Sequence, residues 1–202
     1  PNQELPEANT RFLLTDAFPD KRTTRHIRDL NHPLVRYSST PLHAEDIDQA
    51  PGGIKTMVAS FHHLRTHQAR AVLSAAENSQ QPLLIYELAP NRLPVILWWL
   101  FLPVSMSILV IMSWCMTPFV RPFSFSQLFF TYIIPVIPLI YAWDGRASLM
   151  RTYTFKDIEE LLQGRASDNY AWTMQRAKSA TNRLAGYYIF GCPGARSCYS
   201  KL

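Results

Sequence analysis

Glycine is scarce in this sequence: seven residues in 202, none before Gly52, and no GxG triplet anywhere. The sequence therefore lacks a glycine-rich loop of the kind that lets backbone approach a nucleotide cofactor closely. Cysteine is as sparse, with Cys115, Cys192 and Cys198 leaving an odd number and no CxxC spacing. That argues against a disulfide framework, and Cys192 and Cys198 are expected as free thiols with no assigned role. Lys and Arg outnumber Asp and Glu by 20 to 15, a net charge of +5, yet no basic run is dense enough for a nucleic-acid surface. Anionic lipid headgroups match that moderate charge better. The most informative absence is of charge itself, because Arg121 is the one formally charged residue between Leu93 and Trp143.

What fills that block is apolar. Leu93 to Val120 runs 28 residues without a charge, and about 20 suffice to cross the hydrocarbon core as a helix. Phe123 to Trp143 adds 21 uncharged residues interrupted by Pro135 and Pro138, so a second helix is expected to be kinked. Trp98 and Trp99 near one end, and Tyr141 and Trp143 near the other, fit interfacial aromatic belts. The expectation is a transmembrane hairpin over 92–145 whose two ends share a side. Arg92, Arg146 and Arg151 flank the ends against Arg121 in the turn, which places the hydrophilic parts on the cytosolic or organellar-matrix side, with the mitochondrial inner membrane a candidate. A buried hairpin of a soluble core and a re-entrant lie for the second segment stay open. The chain opens on Pro1 rather than Met, read as removal of an upstream targeting peptide or of a larger part of the protein.

The flanks alternate short apolar runs with helical patterns, the mark of α/β units. Strands are expected at Phe12–Thr15, Leu34–Tyr37, Ile54–Ser60 and Pro82–Leu88. Between the last two, Thr66 is expected to cap a helix with Ala69, Val72, Leu73 and Ala76 on one face. Past the apolar block, Thr154 and Asp157 have capping-box spacing ahead of Phe155, Ile158, Leu161 and Leu162, and Gly164 ends that helix. An antiparallel pair built on Tyr170–Met174 and Leu184–Phe190 closes the chain. The organisation read this way is an α/β region over 1–91, the hairpin over 92–145, and a C-terminal helix with a strand pair over 146–202 that completes the α/β region.

The segments LLTDAFPD, SFHHLRTHQAR, PLLIYELA, TYTFKDIEELL and GYYIFGCP, in that order around the apolar block, resemble class I S-adenosylmethionine-dependent methyltransferase-like proteins with an apolar insertion after the fifth sheet strand. The resemblance covers about residues 12 to 193 and implies a partial Rossmann-like sheet lacking its first, central strand. It implies that Asp16, closing the second strand of that sheet, accepts hydrogen bonds from the cofactor ribose; opening a turn with Pro19 is the alternative use of the same carboxylate. His43 stands where an adenine-side acid is implied, with Glu45 and Asp46 close behind. His62 and His63 fall where the family lines its substrate mouth, and either is a candidate general base. Glu87 faces the same pocket or pairs with Arg92. No Glu or Cys completes a metal set with His62, His63 and His67, so no metal is expected.

Two functions follow. Without the glycine loop, the chain as given reads as a non-catalytic accessory subunit of a membrane complex, its hairpin packing on other helices through Ser105, Ser107, Ser113 and Thr117. No cofactor is then expected for this chain alone. The alternative is a membrane-bound methyltransferase whose cofactor loop lies upstream or on another chain, which would restore S-adenosylmethionine binding. A transporter finds no intramembrane acid or base to move ions.

Overall fold

The structure, a computed structural model, describes residues 10–88, 94–121, 123–165, 169–179 and 184–194. It is a mixed helix-and-sheet protein. Parallel strands β1 (Phe12–Leu14) and β2 (Val35–Tyr37) form a small sheet, joined by helix α1 (Lys21–Asp29). A second sheet has the order β3 (Lys55–Val58), β4 (Leu83–Glu87), β6 (Leu184–Pro193), β5 (Tyr170–Lys178). β3 and β4 run parallel, while β6 is antiparallel to both of its neighbours.

Among the described residues no ladder joins the β1 edge of the first sheet to the β3 edge of the second. A cavity of about 210 Å³ lies there, lined by Leu13 and Thr15 on one side and Ile54 to Thr56 on the other. Because the amides of Lys55 and Ala59 bond the carbonyls of Pro82 and Tyr86, strand alternation turns those of Thr56 and Val58 to the open edge. Lys55 is buried there, its Nζ donating to the carbonyls of Ala50 and Pro51. Burial holds its pKa below the usual lysine value.

The core forms where helical and strand periodicities agree. Helix α2 (Thr66–Asn78) buries Ala69, Val72, Leu73 and Ala76, the expected stripe, against Leu83 and Ile85 of β4 and Tyr187 and Ile189 of β6. Thr66 is the first helical residue rather than the cap, because the extended Arg65 occupies that position and its N–H donates to Gln68 Oε1 at 3.0 Å. Helix α6 (Phe155–Leu162) has the expected capping box, Thr154 Oγ1 accepting from the Asp157 N–H at 3.2 Å. Gly164, at φ +77°, follows its end. Arg165 then pairs with Glu77 at 2.9 Å, tying α6 to α2.

Between β4 and α6 lie the apolar helices. α3 (Val95–Met116) continues through a short turn, and its stretch Ile96–Phe119 is long and apolar enough to cross a membrane, an 18-residue window of it being 11% buried. A core helix of a soluble protein would be mostly covered. The next segment comprises α4 (Phe125–Leu128), a π-helical turn over Phe129–Ile133, and α5 (Val136–Arg151). The break at Ile134–Pro135 bends it by 78°, so it passes the same test only as a broken span or re-entrant loop. Pro138 falls in the first turn of α5, where a missing N–H disturbs no helical bond. α3 and α5 pack together, and Trp114 and Tyr132 clamp the far end: Trp114 Nε1 donates to the Thr131 carbonyl at 3.1 Å and Tyr132 Oη to the Trp114 carbonyl at 2.6 Å. The division expected at 145/146 falls within α5, which continues to Arg151.

One expectation is corrected. Cys192, at 3% exposure, is disulfide-bonded, and its partner lies outside the described residues. Spacing alone did not reveal it. The chain turns immediately after β6 at Gly194, φ +74°, whose N–H donates to the Asn169 carbonyl at 2.8 Å.

Candidate functional site

The site is built where β3 and β4 end side by side. In β4, alternation buries Leu83 and Ile85, and the same face carries Glu87 inward to 2% exposure. β3 stops one residue short of Ala59, which adopts φ +48° and turns the chain. A left-handed, non-glycine residue is uncommon and costs energy that its surroundings must offset. Here the Ala59 N–H still donates to Tyr86 O at 2.8 Å, so the turn is held on the ladder. The next residues form a tight turn, Phe61–His63. Phe61 is fully buried, its ring 5.3 Å from that of Tyr153. This anchors His62.

His62 meets Glu87 twice. Its Nδ1 lies 2.8 Å from Glu87 Oε2, and its backbone N–H donates to Oε1 at 3.2 Å. An ionised carboxylate only accepts, so Nδ1 carries the hydrogen and Nε2 is left as the acceptor. The His62 side chain is 13% exposed and that of Glu87 3%. The pair is shielded, yet the imidazole can be reached. The exposed His63 ring lies against that of His62, centroids 4.2 Å apart and planes tilted by 38°.

Neighbouring contacts fix this geometry. Gly186 of β6 passes so close to Glu87 that a Cβ there would lie 2.1 Å from the Glu87 carbonyl oxygen. Tyr187 donates to the Tyr153 carbonyl at 3.0 Å, and Tyr153 to the Leu64 carbonyl at 2.8 Å. Burial, and then the charge of Glu87, push the Tyr187 hydroxyl well above its ordinary pKa. α5 packs against the Phe61–His63 turn, which sets the site at the base of the apolar helices.

Asp16 lies apart. It follows β1, is exposed, and its Oδ1 accepts the Phe18 N–H at 2.8 Å, while its carbonyl accepts from Leu42 at 2.9 Å. The turn role is therefore present, and Oδ2 has no partner among the described residues. The Phe18 ring meets His43 edge-on at 6.0 Å. No hydrogen bond or ring contact among the described residues links Asp16 to the histidines. Glu87 meets His62; Arg92, the other partner expected for it, lies outside the described residues. His67 is exposed on α2, and no group of three potential ligands for a metal occurs among the described residues.

Sequence reasoning named the histidines and Glu87 but not their direct pairing. The signal was the alternation of β4, which puts a carboxylate on a core face where it needs a partner. No protein-family model matches the chain, and none of the curated proteins does.

Proposed function

We propose that this is a membrane-embedded methyltransferase-like protein: a partial Rossmann-like sheet carries an inserted hairpin, and His62, oriented by Glu87, is the general base beside the bilayer. The observation that carries the reading is the strand order. The orders β2, β1 in one sheet and β3, β4, β6, β5 in the other support it, being those that the resemblance to class I methyltransferases implies for a sheet without its first strand. In this reading the cavity between β1 and β3 is the place for that strand. A parallel strand laid between β1 and β3 would satisfy both open edges and cover Leu13, which is 45% exposed.

Such a strand, from an upstream segment or another chain, is what the cofactor site needs. The free Oδ2 of Asp16 suits the ribose hydroxyls, and the methionine side is left to the incoming strand and its loop. S-adenosylmethionine, when bound, supplies an electrophilic methyl group. His62 Nε2 takes the proton from an acceptor hydroxyl or amine, and Glu87 holds the ring and stabilises the imidazolium that forms. The lipid-exposed helices beside the site favour a membrane-borne acceptor.

An accessory subunit using the same sheet as a scaffold is the second reading, favoured by the absent glycine loop. The hydroxyls of Ser105, Ser107 and Thr117 lend it little: each already donates to a carbonyl of its own helix, at 2.8, 2.9 and 2.8 Å. Methyl transfer separates the readings. Native membranes given methyl-labelled S-adenosylmethionine should incorporate label into lipid-extractable material in proportion to this protein. The incorporation should fall about 100-fold or more in His62→Gln. Label independent of His62 would leave the scaffold reading.

A further inference from the structure

Arg146 is a cation with no anion beside it among the described residues. It sits on α5 at 9% exposure, its guanidinium carbon 5.5 Å from the ring centroid of Trp98, itself 6% exposed on α3. Nε and Nη2 of Arg146 and Nε1 of Trp98 are all buried, with no hydrogen-bond partner among the described residues. Arginine stays charged and both side chains only donate. The cation–π contact offsets part of the charge but satisfies none of these hydrogens.

Among the described residues no acid completes the group. Asp144 is two positions away on the same helix, is exposed, and so faces elsewhere. Residues 89–93, which enter α3, contain neither Asp nor Glu. Elsewhere among the described residues shielded cations find acceptors: His62 meets Glu87, Arg165 meets Glu77, and buried Lys55 donates to the carbonyls of Ala50 and Pro51.

We infer that Arg146 and Trp98 form an oxyanion site for a phosphate group, and that its natural occupant is the headgroup of an anionic phospholipid. This rests on the membrane reading of α3 and α5. Three buried donors, two from Arg146 and one from the Trp98 ring it lies over, are carried beside the first turns of α3, whose N-terminus adds positive potential. Phosphate oxygens accept several such bonds, and the guanidinium fork fits them two at a time. The site lies at the end of a helix long enough to span, where headgroups are found. Trp99, its ring 4.8 Å from that of Trp98 and itself 59% exposed, extends the aromatic surface outward.

The full chain in nanodiscs of phosphatidylcholine, with or without phosphatidylglycerol, gives the test. Phosphatidylglycerol should raise the melting temperature, and the lipid concentration needed should rise roughly tenfold or more in Arg146→Gln. Arg146→Lys should fall between, since it keeps the charge but loses the fork. Inorganic phosphate that reproduces the shift assigns the site to a free oxyanion; no response assigns it to the lipid. An equal phosphatidylglycerol effect in Arg146→Gln overturns the inference. If that variant does not fold, native mass spectrometry of the unmutated protein decides: phosphatidylglycerol retained against excess phosphatidylcholine supports the site, and free exchange rejects it. Alkaline carbonate separates the premises. Release of the protein from membranes contradicts the membrane reading, whereas retention without lipid selectivity contradicts the Arg146 site alone.

Discussion

His62 and Glu87 are joined through two bonds to one carboxylate: Nδ1 lies 2.8 Å from Oε2, and the backbone N–H donates to Oε1 at 3.2 Å. The ring and the turn that carries it are therefore set by the same buried acid. Removing the imidazole leaves that acid without its side-chain partner. His62→Ala should cost roughly 3 kcal/mol, measured by denaturation in detergent. In the unmutated protein, ¹⁵N chemical shifts should report the tautomer protonated on Nδ1, and Glu87→Gln should lose that preference. An unchanged tautomer would remove Glu87 as the orienting group.

Gly186 is expected to be intolerant of any side chain. Its φ is +140°, and a Cβ would meet the Glu87 carbonyl oxygen at 2.1 Å. Since the obstacle is backbone, the strands must part. Gly186→Ala should destabilise by about 3 kcal/mol or more and raise amide exchange at Glu87. Wild-type stability in this variant would mean that β4 and β6 do not approach so closely.

Alkaline stability should fall above pH 10. Burial raises the pKa values of Tyr153, Tyr170 and Tyr187 above their ordinary 10.0. The unfolded chain releases these protons first, so their contribution is present below pH 10 and is lost as pH rises through the folded values. Lys55 acts oppositely, because its folded pKa lies below 10.5. Its contribution rises across the interval between the two values, but one lysine opposes three tyrosines. Tyrosinate absorbance in a pH titration should show a late-ionising group that appears together with unfolding. All nine tyrosines ionising near pH 10 without loss of structure would contradict this.

Much of this architecture was legible in the residues, and the reasons differ by element. The stripe Ala69, Val72, Leu73, Ala76 and the box Thr154/Asp157 are local patterns, and both hold in α2 and α6. Helix α1 went unread because it buries nothing and has no apolar stripe to detect. Its start was marked by Asp20, whose carboxylate accepts the Thr23 N–H at 2.7 Å. The site was half legible: residue types placed His62, His63 and Glu87 near one another. Their contact needs the left-handed turn at Ala59, and no spacing announces an alanine in that conformation. The bend at Pro135 was readable from proline chemistry, whereas no residue pattern marks the π-helical turn before it.

Cys192 bears on which side the hydrophilic part occupies. A stable disulfide belongs to an oxidising compartment, whereas the flanking arginines favour the cytosolic or matrix side. Alkylation of unreduced protein followed by mass analysis should label Cys115 and leave Cys192 unlabelled. Protection in native membranes would place the soluble part on the oxidising side. A freely labelled Cys192 would contradict the bond and restore the expected orientation.

The most direct test of the account is binding of labelled S-adenosylmethionine to this protein extracted from its native membrane in mild detergent, with the chains that accompany it. A completed methyltransferase-like sheet predicts saturable binding that is reduced about tenfold or more by Asp16→Ala, since that removes a charged acceptor of ribose hydrogen bonds. No binding by folded, fully assembled material would contradict it, and the sheet would then serve as a scaffold beside the membrane helices.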